Sequence, residues 1–358
     1  MRKLYLHIGA PKCGSTSIQS LLAAKWAELR GQGISVIGND CSLFQGEEIN
    51  KPGPVDKYET YIRQITESPE SIDPEQSVYW LRDEIMQAVA AEDSDRIVIS
   101  AENFCHIGGM GNKGRQARAA LLRPLTEAFE THLIIYIRRQ DIWAEAAWKQ
   151  WWIKTADADY WQTIMQHAVL GIPSFRAELD NLAAVFSCDH MHVRILDRSL
   201  LANGSLISDF LSLVGTEIGP VSEEIHNKMP PRSVISFLSA RHNVLSKQFD
   251  DALFALLDEL GDIGGERLLV EEQRLKLLNL FRSENEWLAQ NFFPTQEAAL
   301  RAYFWLDKAG PTGPDPATDP AGATNAQVIS HQLAKFDARL RDIEGTVSAL
   351  IRALAKVR

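Results

Sequence analysis

Apolar runs alternate with stretches of helical spacing over the first two hundred residues of the chain. Leu4 to Gly9 is an apolar run that leads into a loop, and the residues after Gly14 place apolar side chains at helical spacing. β-Branched runs predict further strands at 95–101, 133–137 and 192–196. Helical spacing predicts the intervening and following helices at 76–91, 115–129, about 141–154 and 206–214. This alternation predicts an α/β fold, a parallel β-sheet flanked by helices with ligands bound at the carboxyl ends of the strands.

Three segments depart from this alternation. Residues 38–74 are rich in Gly, Pro, Asn, Asp and Ser, which predicts a surface excursion with one short helix near 58–65. Residues 233–306 are helical in pattern, and a Pro/Gly-rich stretch follows that no core element tolerates. The sequence therefore predicts an α/β domain with a helical C-terminal part over 1–306, a linker over 307–324 and a terminal coiled-coil helix over 325–358.

The terminal helix carries an unbroken heptad repeat. Its apolar residues are spaced alternately by four and three, which makes a seam that one helix cannot bury alone. The a positions are Leu333, Leu340, Val347 and Leu354, and the d positions are Ile329, Phe336, Ile343, Leu350 and Val357. Leucine at a with isoleucine at d favours a homo-oligomer of three or four chains, although Val347 and Leu350 form a dimer-like pair. The alternative is that this helix folds back onto its own domain, which the linker permits.

Composition and charge narrow the classes of partner. The 358 residues are 45% hydrophobic and 23% charged, and 37 Lys and Arg against 47 Asp and Glu leave a net charge of −10. We therefore expect no general affinity for nucleic acid or anionic membranes, and any anionic ligand must be held locally. No run reaches the roughly 18 apolar residues of a membrane span, and no signal peptide is recognised. Four cysteines without C-x-x-C spacing predict reduced thiols, no zinc site and a cytoplasmic protein.

The loop after the first predicted strand carries the strongest chemical signal. Gly9 and Gly14 have the Gly-x4-Gly spacing of a nucleotide-binding loop, and a helix begins directly after them. Backbone N–H groups at a helix start lack intrahelical partners and attract phosphate. However, Ser15-Thr16 stands where an ATP- or GTP-binding loop needs Lys-Ser/Thr, and the lysine lies inside the loop as Lys12. The alternative interpretation is a strand-to-helix turn whose glycines serve only geometry.

This loop resembles the 5′-phosphosulfate loop of sulfotransferases, written P-K-x-G-T/S-T/S-x-L. The matching residues are Pro11, Lys12, Cys13, Gly14, Ser15, Thr16, Ser17 and Ile18. The resemblance covers about residues 1–215 and implies a P-loop-like sulfotransferase fold of the bacterial carbohydrate type. It implies that residues 11–17 bind the donor 3′-phosphoadenosine 5′-phosphosulfate (PAPS) and that Lys12 stabilises charge on the leaving phosphate. It further implies a hydroxyl acceptor, a carbohydrate or glycolipid, and no metal.

A second part of the resemblance lies at the end of the third predicted strand. In that family an arginine at this strand end, with a serine eight residues later, holds the 3′-phosphate of the donor. Arg138 stands at the arginine position, but the serine position is Ala146. We therefore expect Arg138 to read the 3′-phosphate, with Arg139, Lys149 or a helix N-terminus supplementing it. Alternatively, Arg138 and Arg139 form a solvated or ion-paired couple.

Sulfuryl transfer to a hydroxyl also needs a general base. Glu102 follows the predicted strand at 95–101, and a partly desolvated carboxylate there can have its pKa raised toward neutrality. The resemblance to carbohydrate sulfotransferases implies a glutamate base at this place. His106 is the rival, because the ordinary pKa of histidine suits the task. Glu102 could instead cap a helix, and His106 could be a loop histidine.

Five tryptophans lie between 143 and 161. On a helix, those at 148, 151 and 152 share a face, which either packs into the core or forms an acceptor wall. Two other functions stay open alongside sulfuryl transfer. One is a non-catalytic coiled-coil nucleotide-binding or scaffold protein, and the other is an atypical P-loop kinase, which requires Mg²⁺ ligands.

Overall fold

A computed structural model describes residues 1–46, 49, 82–90, 92–105, 122–148, 160–170, 173–218 and 267–307. The chain divides into two compact units. The first comprises Met1–Ala147, Ile164–Lys228 and Leu275–Ala309, and the second comprises Trp148–Thr163, Met229–Arg274 and Gly310–Arg358. All the residues of the two sites discussed below belong to the first unit.

The first unit is built on a five-stranded sheet in which every pairing is parallel. The strands are β1 Lys3–Ile8, β2 Ile34–Ile37, β3 Arg96–Ala101, β4 Glu130–Ile137 and β5 Met191–Ile195. Their order in the sheet is β2-β3-β1-β4-β5. The predicted parallel α/β sheet is confirmed, with ligand-binding loops expected at the carboxyl ends of β3, β1 and β4.

Strand β2 is absent from the sequence-based prediction. It is only four residues long, Ile-Ser-Val-Ile, and all four are buried. Its polar residue, Ser35, is tolerated in the core because its hydroxyl hydrogen-bonds that of Ser94 at 2.7 Å. Four residues that interrupt apolar positions with a serine carry too little periodicity to distinguish a strand from a loop.

Nine helices are bounded within the part of the chain that the structure describes. They are α1 Ser15–Gly31, α2 Leu125–Ala128, α3 Gln140–Ala147, α4 Tyr160–Val169, α5 Phe175–Ala183, α6 Leu206–Val214, α7 Glu271–Leu280, α8 Arg282–Phe292 and α9 Glu297–Tyr303. Residues 82–88 are also helical, and short 3₁₀ turns cover Glu102–Phe104, Cys188–His190, Ala202–Gly204 and Pro294–Gln296.

One predicted helix end is confirmed, whereas the predicted start of a strand is wrong by three residues. α6 ends at Val214 as predicted, because Gly215 adopts φ 74°, the left-handed conformation that closes a helix. The predicted helix 115–129 is described only near its end, where α2 is short and β4 begins at Glu130, three residues before the predicted strand. The predicted start was late because Glu130 and His132 are polar, although Thr131 between them is buried.

The central strands form the core of the first unit. In β1 the five residues from Leu4 to Ile8 are all buried, as expected of a parallel strand covered on both faces. Two polar residues interrupt this apolar layer, His7 on β1 and Ser100 on β3, which are register partners. His7 Nδ1 and Ser100 Oγ are 2.7 Å apart, so the two share a hydrogen bond inside the sheet.

Several predictions fall on residues outside the described ranges. These are the short helix at 58–65, His106, Lys149, the tryptophans at 151 and 152, most of the linker and the whole coiled-coil helix 325–358. Among the described residues, no helix has the length and apolarity needed to cross a bilayer. Cys13, Cys41 and Cys105 are buried and form no disulfide among the described residues, and the reduced state of the cysteines stays a prediction.

Candidate functional site

The loop between β1 and α1 is held in an unusual backbone conformation. Lys12 adopts φ 63° and Gly14 adopts φ 92°, both in the left-handed region. A side chain at Gly14 would bring a Cβ to 2.5 Å from Leu206 Cδ2, and one at Gly9 would collide with the Ser15 hydroxyl. Close packing therefore favours glycine at both positions, and the left-handed conformation favours it at Gly14 as well. A left-handed lysine is uncommon and costs free energy, which is typical of functional loops.

The N-terminus of α1 points its amides at this loop. Gly14 is the N-cap residue, and no side chain caps the helix. The first turn of α1 contains no acidic residue. A 17-residue helix has a substantial dipole, and its first amides lack intrahelical acceptors. The loop is therefore suited to an anion, in an otherwise acidic chain.

Contacts from the neighbouring elements fix the loop in place. The indole N–H of Trp143, which is buried on α3, donates to the Pro11 carbonyl at 2.8 Å. The Gly9 amide donates to the Ala101 carbonyl at 3.3 Å, and the Gln19 side chain donates to the Ser100 carbonyl at 3.1 Å. This contact of Trp143 with the loop was not predicted. Trp148, the one described member of the predicted tryptophan face, is buried, which agrees with the core interpretation.

Lys12, Glu102 and Arg138 come together at this edge because β3, β1 and β4 are neighbours in the sheet. Burial lowers the pKa of Lys12, while the Glu102 carboxylate opposes that shift and the Arg138 guanidinium adds to it. Each group is therefore close enough to perturb Lys12 electrostatically. Lys12 and Arg138 are both half-buried, so part of each side chain remains open to a ligand.

Glu102 lies between the loop and the end of β3. Glu102 is an exposed residue, but partial desolvation of its carboxyl raises the pKa, and the Lys12 ammonium and the Ser15 hydroxyl oppose the shift. Ser15 Oγ faces this carboxyl without the geometry of a full hydrogen bond, so among the described residues it is a buried hydroxyl with no hydrogen-bond partner. A carboxyl with a raised pKa, beside a lysine, has the properties expected of a general base.

The remaining loop side chains differ in accessibility. Cys13 is buried, and burial raises the pKa of its thiol to about 12, so it is an inert packing group. Thr16 is exposed, whereas Pro11 and Ser17 are half-buried. The loop thus offers backbone amides, the Lys12 side chain and the Thr16 hydroxyl to solvent.

The two consecutive arginines have different surroundings. Arg139 is buried, and its guanidinium makes a bidentate ion pair with Asp141 at 2.7 and 3.0 Å. It also donates to the Tyr303 carbonyl at 2.6 Å and stacks over the Trp305 ring at 4.5 Å. These contacts connect α3 to the segment following α9. Arg138 has its charge at the loop instead, beside Lys12 and Cys13.

Ala146 lies half-buried near the end of α3, so the hydroxyl that the resemblance implies is absent from this helix position. His106 and Lys149 lie outside the described residues. The structure therefore brings Lys12, Glu102 and Arg138 together with the α1 N-terminus, and turns the Arg139 side chain toward Asp141 and Tyr303.

His7 and Ser100 lie in the sheet one residue before its carboxyl end, and sequence analysis missed them. Burial lowers the pKa of His7 to about 3, so its ring stays neutral at ordinary pH. The signal was present, since each is a polar residue inside an apolar run. Their hydrogen bond joins β1 to β3 at Ser100, two residues before Glu102.

Comparisons with known proteins add little to this geometry. No protein-family profile matches the chain. The chain is similar to an uncharacterised protein of Archaeoglobus fulgidus, at 29% identity over 171 residues. That similarity covers 46% of this chain and 46% of the archaeal protein, so the chain spans about half of the length of the relative it matches.

Proposed function

We propose that the chain transfers a sulfuryl group from PAPS to a hydroxyl of an acceptor molecule. The observation that carries this proposal is the convergence of Lys12, Glu102 and Arg138 around an uncapped helix N-terminus. Two cationic groups with helix amides suit a donor that bears several phosphate oxygens. One carboxyl with a raised pKa suits an acceptor that must lose a proton.

In the proposed reaction the acceptor oxygen attacks the sulfur of the donor. A new O–S bond forms as the bond between sulfur and the 5′-phosphate oxygen breaks, and the Glu102 carboxylate takes the acceptor proton. Negative charge builds on the leaving phosphate, where Lys12 and the amides of residues 14–16 stabilise it. The loop is already held by Trp143 and Ala101, so little reorganisation is required.

Arg138 is the proposed reader of the 3′-phosphate. It is half-buried and acts electrostatically on Lys12, which places its charge at the loop. Arg139 as a donor ligand stays a prediction, and its described contacts are structural. No side-chain hydroxyl stands at Ala146, so we propose that Arg138 carries more of the 3′-phosphate binding here than in the family pattern.

Ligand stabilisation tests the donor assignment. We expect 3′-phosphoadenosine 5′-phosphate to raise the melting temperature of the full chain by mass action, and adenosine 5′-phosphate, which lacks the 3′-phosphate, to do so much less. A transfer assay with labelled PAPS and a panel of hydroxyl acceptors, carbohydrates and glycolipids first, then tests catalysis. Absence of stabilisation by the bisphosphate would contradict the proposal.

Phosphoryl transfer from ATP is the second candidate, supported by the closeness of the Ser15 hydroxyl to the Glu102 carboxyl. A hydroxyl and a carboxyl at a phosphate loop are the oxygen ligands that Mg²⁺ prefers. Stabilisation by ATP with Mg²⁺, and none by the bisphosphate, would favour it. Stabilisation by a nucleotide without any group transfer would instead favour the scaffold alternative.

We further propose a cytoplasmic homo-oligomer. Cys13, Cys41 and Cys105 are buried and lie in no disulfide among the described residues, which supports a reducing compartment. The heptads of 325–358 support self-association. Light scattering should give a multiple of 40.1 kDa for the full chain. A chain ending near Lys308 should contain fewer copies per particle. The same monomeric mass for both would refute the oligomer.

A further inference from the structure

A second cluster of chemically active side chains lies at the opposite, amino-terminal edge of the sheet. Glu130 and His132 alternate on β4, while His192 lies on β5 and His190 comes directly before that strand. Residues two apart in a strand share a face, and the β4–β5 register pairs Leu133 with Met191. The four side chains therefore belong to one face of the sheet.

The geometry of three of these residues is that of a metal ligand set. The ligand atoms of Glu130, His132 and His190 all lie within 4.8 Å of one another. His132 Nε2 and Glu130 Oε1 are 3.1 Å apart. Two ligands bound tetrahedrally to Zn²⁺ at 2.0–2.1 Å lie about 3.3 Å apart, so this pair needs almost no rearrangement.

The backbone already positions the third ligand. His190 ends a 3₁₀ turn, and its amide donates to the Ser187 carbonyl at 3.0 Å. Its ring centroid is 4.7 Å from that of His132. Its ligand nitrogen lies within 4.8 Å of those of the other two residues, and side-chain movement must close the rest of the gap.

His192 contacts His132 through the ring nitrogen that does not face Glu130. Its Nε2 is 3.0 Å from His132 Nδ1, and the two rings stack with centroids 5.3 Å apart. Without a metal, the 3.1 Å contact requires His132 Nε2–H to donate to the Glu130 carboxylate. With a metal bound at Nε2, His132 would instead carry its proton on Nδ1, which would donate to His192 Nε2.

We propose that Glu130, His132 and His190 bind a divalent transition metal ion, with His192 orienting His132. Imidazole nitrogen with one carboxylate oxygen favours Zn²⁺, Co²⁺ or Ni²⁺ over Mg²⁺ and Ca²⁺, which prefer oxygen ligands. Three protein ligands leave a fourth position for water or another ligand. The site lies at the end of the sheet opposite Lys12, so the ion takes no part in the proposed transfer reaction.

Lys3 competes with the metal for the carboxylate. Its ammonium lies 3.5 Å from Glu130 Oε1, the oxygen that also faces His132. The Lys3 side chain is 46% exposed, so it can move into solvent at little cost. Removing this positive charge should therefore tighten metal binding, whereas a simple hydrogen-bonded histidine chain predicts no such gain.

The test is calorimetric titration of the full chain, made without a polyhistidine tag and stripped with a chelator, with Zn²⁺ and in parallel with Mg²⁺. We expect one Zn²⁺ per chain at this site, Mg²⁺ bound far more weakly, and a visible Co²⁺ spectrum of tetrahedral type. His190→Ala and Glu130→Gln should each weaken Zn²⁺ binding at least tenfold, and His192→Phe about 10–100-fold through the lost support. Lys3→Met should strengthen it.

His167→Ala is the matched control, because His167 is a half-buried histidine on α4 outside the cluster. It should leave the Zn²⁺ dissociation constant unchanged. Far-UV circular dichroism of every variant establishes that the fold is retained, and Glu130→Gln and Lys3→Met change no buried group. Absence of stoichiometric Zn²⁺ binding, or unchanged binding in both His190→Ala and Glu130→Gln, would overturn the proposal.

Discussion

At the carboxyl end of the sheet, Lys12, Glu102 and Arg138 gather three charged groups around a helix N-terminus, whereas the amino end holds three histidines and one glutamate. Both clusters draw on β4, through Arg138 at one end and His132 at the other. The first cluster combines two cationic side chains with one carboxyl, whereas the second combines imidazoles with one carboxyl. The first environment suits a multiply charged anion, and the second suits a soft-to-borderline cation.

This difference arises from how a parallel α/β sheet is connected. Every strand delivers its following loop to the carboxyl end, where glycine turns and helix N-termini collect. The amino end receives the chain from helix C-termini, so polar side chains there come from the strands themselves. A site at the amino end consequently depends on strand alternation, as with Glu130 and His132, rather than on a loop motif.

Replacing Lys12 should disturb the carboxyl end most strongly. Lys12→Ala removes the loop ammonium and should lower turnover by two to three orders of magnitude, about the value of a preorganised charge-stabilising group. Initial rates of labelled-sulfate transfer measure it. Lys25→Ala, at a half-buried lysine later on α1 that pairs with Glu28, is the control and should leave the transfer rate unchanged. More than about a tenth of the wild-type rate in Lys12→Ala would refute the assignment, since that is only about 1.4 kcal/mol of barrier.

Glu102→Gln should lower turnover about a hundredfold and leave donor affinity nearly unchanged, because it removes the proton acceptor but keeps the shape. The wild-type rate should fall as the pH is lowered through the raised pKa of Glu102, since only the carboxylate accepts a proton. The remaining rate of Glu102→Gln should not fall in this way as the pH is lowered.

His106→Ala distinguishes the rival base. If Glu102→Gln stays active while His106→Ala loses activity, the base is His106 and the proposed role of Glu102 is wrong. A merely structural effect of either variant would appear as a lower melting temperature without a change in the pH profile of the rate.

The neighbouring arginines should separate binding from stability. Arg138→Ala should weaken binding of 3′-phosphoadenosine 5′-phosphate at least tenfold and leave the melting temperature nearly unchanged. Arg139→Ala leaves the buried Asp141 without its partner and should cost about 3–5 kcal/mol of stability. Titration calorimetry and thermal unfolding measure the two effects. If Arg138→Ala prefers the nucleotide with the 3′-phosphate as strongly as the wild type does, Arg138 does not read that group.

Replacing Glu284 should have the smallest effect on activity. This residue shows how far burial raises the pKa of a carboxyl that has no lysine beside it, in contrast to Glu102. Burial raises the pKa of Glu284 to about 7, opposed by neutral donors such as the Phe175 amide at 2.9 Å, whereas the Lys12 ammonium opposes the shift at Glu102. The folded state holds this proton more tightly than the unfolded state. Its contribution to stability is therefore complete below pH 4.5 and is lost as the pH rises to about 7.

Glu284→Gln should abolish that part of the pH dependence, of roughly 3 kcal/mol at most for this shift. Denaturant unfolding of wild type and variant at pH 4.5 and 8 measures the difference, and turnover should be unchanged. If both proteins lose the same stability between these pH values, Glu284 does not titrate as its burial indicates.

Much of the fold was predictable because its signals are local. The strands at 95–101 and 192–196, the helix ending at Gly215 and the Gly9–Gly14 loop follow from apolar period and turn chemistry. β2 was missed because four residues hold no clear period. The start of β4 was missed because Glu130 and His132 are polar on a strand whose next residues are buried.

The sequence by itself determined the order of elements, the loop with its lysine and the heptad pattern of the tail. Each of these depends on residues that lie close together along the chain. Only the tertiary structure decided that β3 and β4 flank β1, which places Glu102 and Arg138 beside Lys12. It also decided that Arg139 pairs with Asp141 and Tyr303, and that histidines from two strands meet Glu130. Strand order and burial are set by packing between residues far apart in sequence, and no local period carries that information.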